Sequence, residues 1–311
     1  MGNTAPIMEA KGKIDYGLTN DYMFRAILQK SRKTLIGLAS ALLHLNPEDI
    51  RNIEITNPII LGESINAKTF ILDVNILLNN SRMLNLEMQV NNLHNWENRS
   101  LCYLCSDFSQ LNKGDAYEDI KPVINIGILD YTLFEDAPEF YAEFELLNKK
   151  THRRYSDKLG ISVLDLTQIN MASDEDKAYG IDTWAAVFKA KTWEELRMAV
   201  QSNEYMKDAA ETLYELNSDE TIRQQCEARR RAEIEEKHMQ DKLKKLEEDK
   251  ENLTREKNEL TKEKTELVKE KTELHIKLQT EKESNQLLTT EAQKWKAKYE
   301  QLLAAQSRNK N

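Results

Sequence analysis

Two runs, KTFILDVNILL (68–78) and MLNLEMQV (83–90), alternate apolar with polar residues, and their polar set contains Asp73, Glu87 and Gln89. Carboxylates opposed across two strands repel unless a cation stands between them, so such a pair suits a divalent ion held by oxygens. An ion there can hold a phosphate, acidify a water and stabilise developing negative charge. The intervening NNSR is turn-prone. With Asn79–Ser81 as the loop, Leu78 faces Arg82 and Asp73 falls directly opposite Glu87. Gln89, two residues on, points to the same side. The same alternation also describes a solvent-facing sheet whose polar residues only keep it soluble, and spacing leaves both readings open.

The flanking elements must hold that hairpin. TNDYMFRAILQKSRKTLIGLASALL (19–43) opens on the cap residues Thr19 and Asn20, has apolar residues at helical spacing, and breaks near Ser31. IRNIEITNPIILG reads as a strand interrupted at Pro58. Residues 95–112 predict a helix with Leu101, Leu104, Phe108 and Leu111 on one side. PVINIGILDYTLF (122–134) is apolar enough for a central strand, and FYAEFELLN (140–148) and GISVLDLTQI (160–169) add two more. The expected fold is α/β, a mixed sheet flanked by helices over 14–170. A helical extension over 171–220 follows, in which Thr192 and Glu195 form a capping box.

Residues 221–311 are a different polymer. Of the 44 basic and 53 acidic residues of the 311, this tail holds 22 and 19, which leaves 1–220 at a net −12. LTREKNE, LTKEKTE and LVKEKTE (253–273) are near-copies in a seven-residue repeat that carries one apolar stripe from Met239 to Leu302. The second stripe of a coiled coil is mostly lysine, at Lys250, Lys257, Lys264 and Lys271. Two readings stand: a solvated helix held by pairs such as Arg255–Glu259 and Lys262–Glu266, or a weak parallel homodimer through 239–302. No run of 18 apolar residues and no signal-peptide core is present, so no membrane partner is expected. Three cysteines (Cys102, Cys105, Cys226) cannot all pair, and reduced thiols in the cytoplasm are the expectation.

The ordered set TNDYMFRAIL (19–28), FILDVNI (70–76), LNLEMQ (84–89), Arg99 with Tyr103, and QLNKGDAYEDIKPVINIGILDY (110–131) resembles the PD-(D/E)xK nuclease superfamily. Within it, the set is most similar to the recombination-promoting nuclease and transposase family. The resemblance spans about 14–220. It implies a restriction-endonuclease-like fold and a Mg²⁺-dependent DNA endonuclease, with Mn²⁺ as a substitute. Asp73 and Glu87 would bind metal with the backbone carbonyl of Met88, and Asp21 would touch a second ion or its waters. Gln89 stands where the superfamily more often has Lys. It would orient the attacking water by hydrogen bonds without bringing a charge. DNA is the implied partner, although a net −12 lacks the basic footprint of a DNA binder. Local basic residues such as Lys30, Arg32, Lys33, Lys113, Lys149, Lys150, Arg153 and Arg154 are what could line a groove, and Arg229–Arg231 open the tail.

Other signals are weak. Cys102-x-x-Cys105 lies within a helix without a second pair, so half-buried packing is expected there rather than zinc or redox chemistry. His94 is the one histidine near the hairpin and reads as a bystander. The rival functions are an RNA-directed nuclease and an interaction protein whose nuclease fold has lost activity and whose tail recruits partners.

Overall fold

In the computed structural model, residues 6–59, 61, 73–109, 116–201 and 203–308 are described. They fall into two compact units, 1–240 and 241–311. The first part of run 68–78, together with Leu111 and Lys113, lies outside the described residues.

Helix α1 (Asp21–Lys30) starts where the side chain of Asn20 accepts a hydrogen bond from the Met23 amide at 3.1 Å. Ser31 ends α1 and, accepting from the Thr34 amide at 2.9 Å, starts α2 (Arg32–Leu42). One residue thus makes the expected break, because its hydroxyl replaces an amide partner that the helix cannot supply. Strands β1 (Ile53–Ile55), β2 (Val74–Leu78) and β3 (Arg82–Gln89) follow, then α3 (Trp96–Phe108) and β4 (Val123–Leu129). After β5 (Tyr141–Glu145) and β6 (Leu159–Asp165) come α4 (Asp174–Ala178), α5 (Ile181–Lys189), α6 (Trp193–Ala199), α7 (Glu204–Ser218) and α8 (Glu220–Arg308). The six strands form one mixed sheet in the order β1-β2-β3-β4-β6-β5. The β3-β4 and β4-β6 pairs are parallel, the others antiparallel. The capping box forms at Thr192 and Glu195.

The even-numbered side chains of the hairpin, Val74, Ile76, Leu78, Leu84, Leu86 and Met88, join Ile126, Ile128 and Leu164 in the main core. Helices α1, α2, α5 and α7 complete it through Phe24, Leu38, Trp184 and Leu213. The odd face of β4 and β6 meets α3 in a smaller cluster of Trp96, Leu129 and Val163. A Cβ placed on Gly127 would come 2.1 Å from the Trp96 ring, so the missing side chain is what lets the indole lie against the strand.

Two local expectations change. On α3 the buried residues are Trp96, Ser100 and Leu104, while Leu101 is half exposed. Spacing of four stacks one row onto the sheet, and Leu101 lies about 100° round from Ser100. Cys102 and Cys105 are on that outer side and exposed, not half-buried. The run 160–169 leaves the sheet at Asp165, whose carboxylate accepts from the Thr167 amide at 2.8 Å and starts a 3₁₀ turn.

In the second unit α8 is helical and its stripe from Met239 to Leu302 is exposed. Threonine hydroxyls such as Thr254 and Thr261 donate to carbonyls four residues back. Among the described residues, the ion pairs of α8 involve its first turns, not Arg255–Glu259 or Lys262–Glu266.

Gly127→Ala is expected to destabilise the protein by about 1–3 kcal/mol through overpacking against Trp96. Chemical denaturation checks it, and an unchanged midpoint would show that the indole has room to move.

Candidate functional site

The hairpin register is fixed locally. Asn79 and Asn80 take positive φ of 48° and 55°, a conformation that asparagine tolerates. The side chain of Asn79 accepts from the amides of Arg51 and Asn52 at 2.8 and 3.0 Å, pinning the turn to the chain before β1. Leu78 pairs with Arg82 and Val74 with Leu86, so the same register carried one residue further sets Asp73 opposite Glu87.

The polar face is not solvent-facing. Glu87 is 4% exposed, Asp73 5%, Asp21 6% and Gln89 9%. Carboxylates are buried at a cost of several kcal/mol each unless charge or hydrogen bonds compensate, and the partners here are specific. Asn85 donates to Asp73 Oδ2 at 2.7 Å and to Asn75 Oδ1 at 2.6 Å, and Asn125 donates to Asn85 Oδ1 at 3.0 Å. This amide ladder crosses three strands. The backbone carbonyl of Asp73 accepts from the buried Arg25 guanidinium and from Asn57 Nδ2. Arg99, one turn after Trp96 on α3, reaches Glu87 Oε1 at 2.6 Å and lies over the Tyr103 ring. At the first turn of α1, Asp21 Oδ2 accepts from Arg229 Nε at 2.5 Å.

Four oxygens are buried among these groups without a hydrogen-bond partner: Asp21 Oδ1, Asp73 Oδ1, Glu87 Oε2 and Gln89 Oε1. All four residues, with Met88, line one cavity of about 40 Å³, room for a cation and a water or two. The carbonyl of Gln89 accepts from the Asp130 amide on the β4 side. By strand alternation the Met88 carbonyl points the other way, toward the β2 edge and Asp73. Hard oxygen donors, two of them carboxylates, fit Mg²⁺ or Mn²⁺. Among the described residues, no three His, Cys, Asp or Glu side chains are arranged to hold a metal in this conformation. Arg99 and Arg229 meet the carboxylates instead.

Burial pushes the Glu87 carboxyl up to about 7, with the Asp73 charge adding to the rise and Arg99 opposing it. Burial also raises Asp21 against the pull of Arg229. Glu233 is pushed up to about 7 by burial and the nearby Asp21 charge.

Sequence reasoning missed the contribution of α8, whose Arg229, Glu233 and Glu236 line the cavity. The signal available was an arginine followed four residues later by glutamate, in a segment read only as the start of the tail. His94 is exposed and does not line the cavity. The basic residues are dispersed: Lys30 and Lys33 pair with Glu215 and Glu204 of α7. Lys149, Lys150, Arg153 and Arg154 lie between β5 and β6, at the end of the sheet away from Gln89.

The raised Glu87 pKa carries a linkage. A carboxyl raised from 4.5 to about 7 favours the folded state fully below 4.5, and that contribution is lost as pH rises through 7. The Tm of chelator-treated protein is therefore expected to fall between pH 5 and pH 8, and Glu87→Gln should flatten the fall. A slope identical in wild type and variant would remove Glu87 as its source.

Residues 18–243 match the model of a family described as PD-(D/E)XK nuclease family transposase. No curated protein and no solved structure shows a significant match. The matched segment contains the whole sheet, the hairpin with Asp73, Glu87 and Gln89, and the first turns of α8. The mixed six-stranded sheet flanked by helices is consistent with a PD-(D/E)XK nuclease fold. On a match over most of its length, this chain belongs to the PD-(D/E)XK nuclease family transposases.

Proposed function

We propose that the chain is a divalent-metal-dependent DNA endonuclease that hydrolyses phosphodiester bonds in DNA recombination or transposase-like mobility, acting in the cytoplasm. The observation that carries this reading is the buried polar face, where Asp73 and Glu87 oppose each other beside Gln89 with unpartnered oxygens. Mg²⁺, or Mn²⁺ in its place, would be held by Asp73, Glu87 and the Met88 carbonyl, with Asp21 toward a second ion. The metal when bound supplies positive charge against the developing phosphorane and lowers the pKa of nearby water.

The chain's own groups do the remaining work. Gln89 Nε2 donates to the Asn91 carbonyl at 3.2 Å, which turns Oε1 toward the cavity as an acceptor for a proton of the attacking water. Gln89 takes no proton itself; it orients the water so that it displaces the 3′ oxygen in line. Arg25 and Asn57, gripping the Asp73 carbonyl, and Asn85, gripping its carboxylate, keep that side chain from turning away. Arg99 keeps Glu87 charged while the site waits for metal.

Supercoiled plasmid is expected to be nicked or linearised with Mg²⁺ or Mn²⁺. Asp73→Ala should lower the rate at least about a hundredfold, the scale of losing one charge-stabilising group. Gln89→Ala should lower kcat and leave Mn²⁺ affinity intact. Equal activity of wild type and Asp73→Ala would end the enzyme reading and leave the interaction protein with its helical tail. Faster cleavage of RNA than of DNA would move the substrate to RNA.

Cutting both strands calls for two sites, and the exposed stripe from Met239 to Leu302 supports self-association through α8. Cross-linking of the full chain at tens of micromolar is expected to trap a dimer that a chain ending at Gln240 does not form. Dimers of equal yield from both would take the tail out of the interface.

A further inference from the structure

The first turns of α8 are built into the cavity wall, and nothing said so far gives them a role. Asn20 Nδ2 donates to the Cys226 carbonyl at 3.2 Å and the Tyr16 hydroxyl donates to Glu227 at 3.1 Å, which fixes this stretch against the chain leading into α1. One turn on, Arg229 and Glu233 face the cavity together with Glu236. Five acidic side chains, Asp21, Asp73, Glu87, Glu233 and Glu236, then line it against two guanidiniums, Arg99 and Arg229. When all are ionised that lining carries an uncompensated charge, and a single divalent ion at Asp73 and Glu87 does not neutralise it.

The arrangement round Arg229 shows where a further charge would sit. Its Nε stands 2.5 Å from Asp21 Oδ2 and 3.6 Å from Glu233 Oε1, so the two carboxylates are held within reach of one cation. The other oxygen of Asp21, Oδ1, is buried without a partner although the residue is only 6% exposed. A guanidinium satisfies planar pairs; a small divalent ion draws oxygens from several sides and can use the one left over.

Resting on the metal-dependent reading above, the geometry points to a second divalent-cation position formed by Asp21 and by Glu233 of α8, separate from Asp73 and Glu87. Arg229 is the resident positive charge that the ion displaces. Glu233 is then a ligand contributed from more than two hundred residues beyond Asp21, and the base of α8 is part of the site.

The test counts ions rather than turnover. Full-length protein, stripped with chelator and titrated with Mn²⁺ at pH 8, is followed by the electron paramagnetic resonance of free Mn²⁺. Wild type is expected to bind two ions per chain. Glu233→Gln should keep one and weaken the other at least about tenfold, while Asp73→Asn should weaken the remaining one. Arg229→Gln should act in the opposite direction, binding the second ion more tightly and gaining more Tm from Mn²⁺ than wild type does. A merely structural role for α8 would weaken binding in both α8 variants. Two ions bound equally well by wild type and Glu233→Gln would overturn the second position and leave the Asp73 and Glu87 site standing. No ion bound by wild type would overturn the metal-dependent reading as well.

Discussion

Buried negative charge is the constraint around which the rest of the first unit is arranged. Asp21, Asp73 and Glu87 are each more than nine-tenths buried, and their charges must be met from inside the protein. Arg99 answers Glu87 and Arg229 answers Asp21, each from a helix on a different side of the cavity. Asp73 is met by neutral amides, with Asn85 on its carboxylate and Arg25 and Asn57 on its carbonyl. Each of these partners needs an element to carry it, which ties α1, α3, the hairpin and α8 to one cavity.

That requirement explains features remote from the chemistry. Arg99 reaches Glu87 because α3 lies close on the sheet, and α3 lies close because Gly127 leaves room for Trp96. The ladder Asn75–Asn85–Asn125 is expensive to bury, yet its members satisfy one another across three strands and orient Asp73. The even side of the hairpin packs in the main core, so any slip that relieved the polar face would expose Leu84, Leu86 and Met88. Stability on one face thereby enforces an unfavourable arrangement on the other. Sites that hold charge in waiting are commonly built this way.

The net acidity of residues 1–220 also reads differently with the structure. Part of it lies in the cavity lining, turned inward, while Lys30 and Lys33 are occupied by glutamates of α7. A DNA contact surface therefore cannot be inferred from summed charge. It has to come from how the basic loop after β5 and the first turns of α8 meet a substrate.

What the sequence by itself determined is what depends on neighbours along the chain. The break at Ser31, the capping box at Thr192, the Asn79–Asn80 turn and the pairing of Leu78 with Arg82 all follow from local rules, and so does the opposition of Asp73 to Glu87. The family resemblance added Asp21 and Gln89 to the same list of residues. Only the tertiary structure decided that the polar face is enclosed, because alternation distinguishes two faces but not whether a helix covers the second. It alone brought Arg229 and Glu233 to Asp21, since a contact across more than two hundred residues leaves no period in the sequence. The charge of the lining then follows from packing: an acidic face in water needs no partner, and the same face buried under α3 and α8 needs a cation.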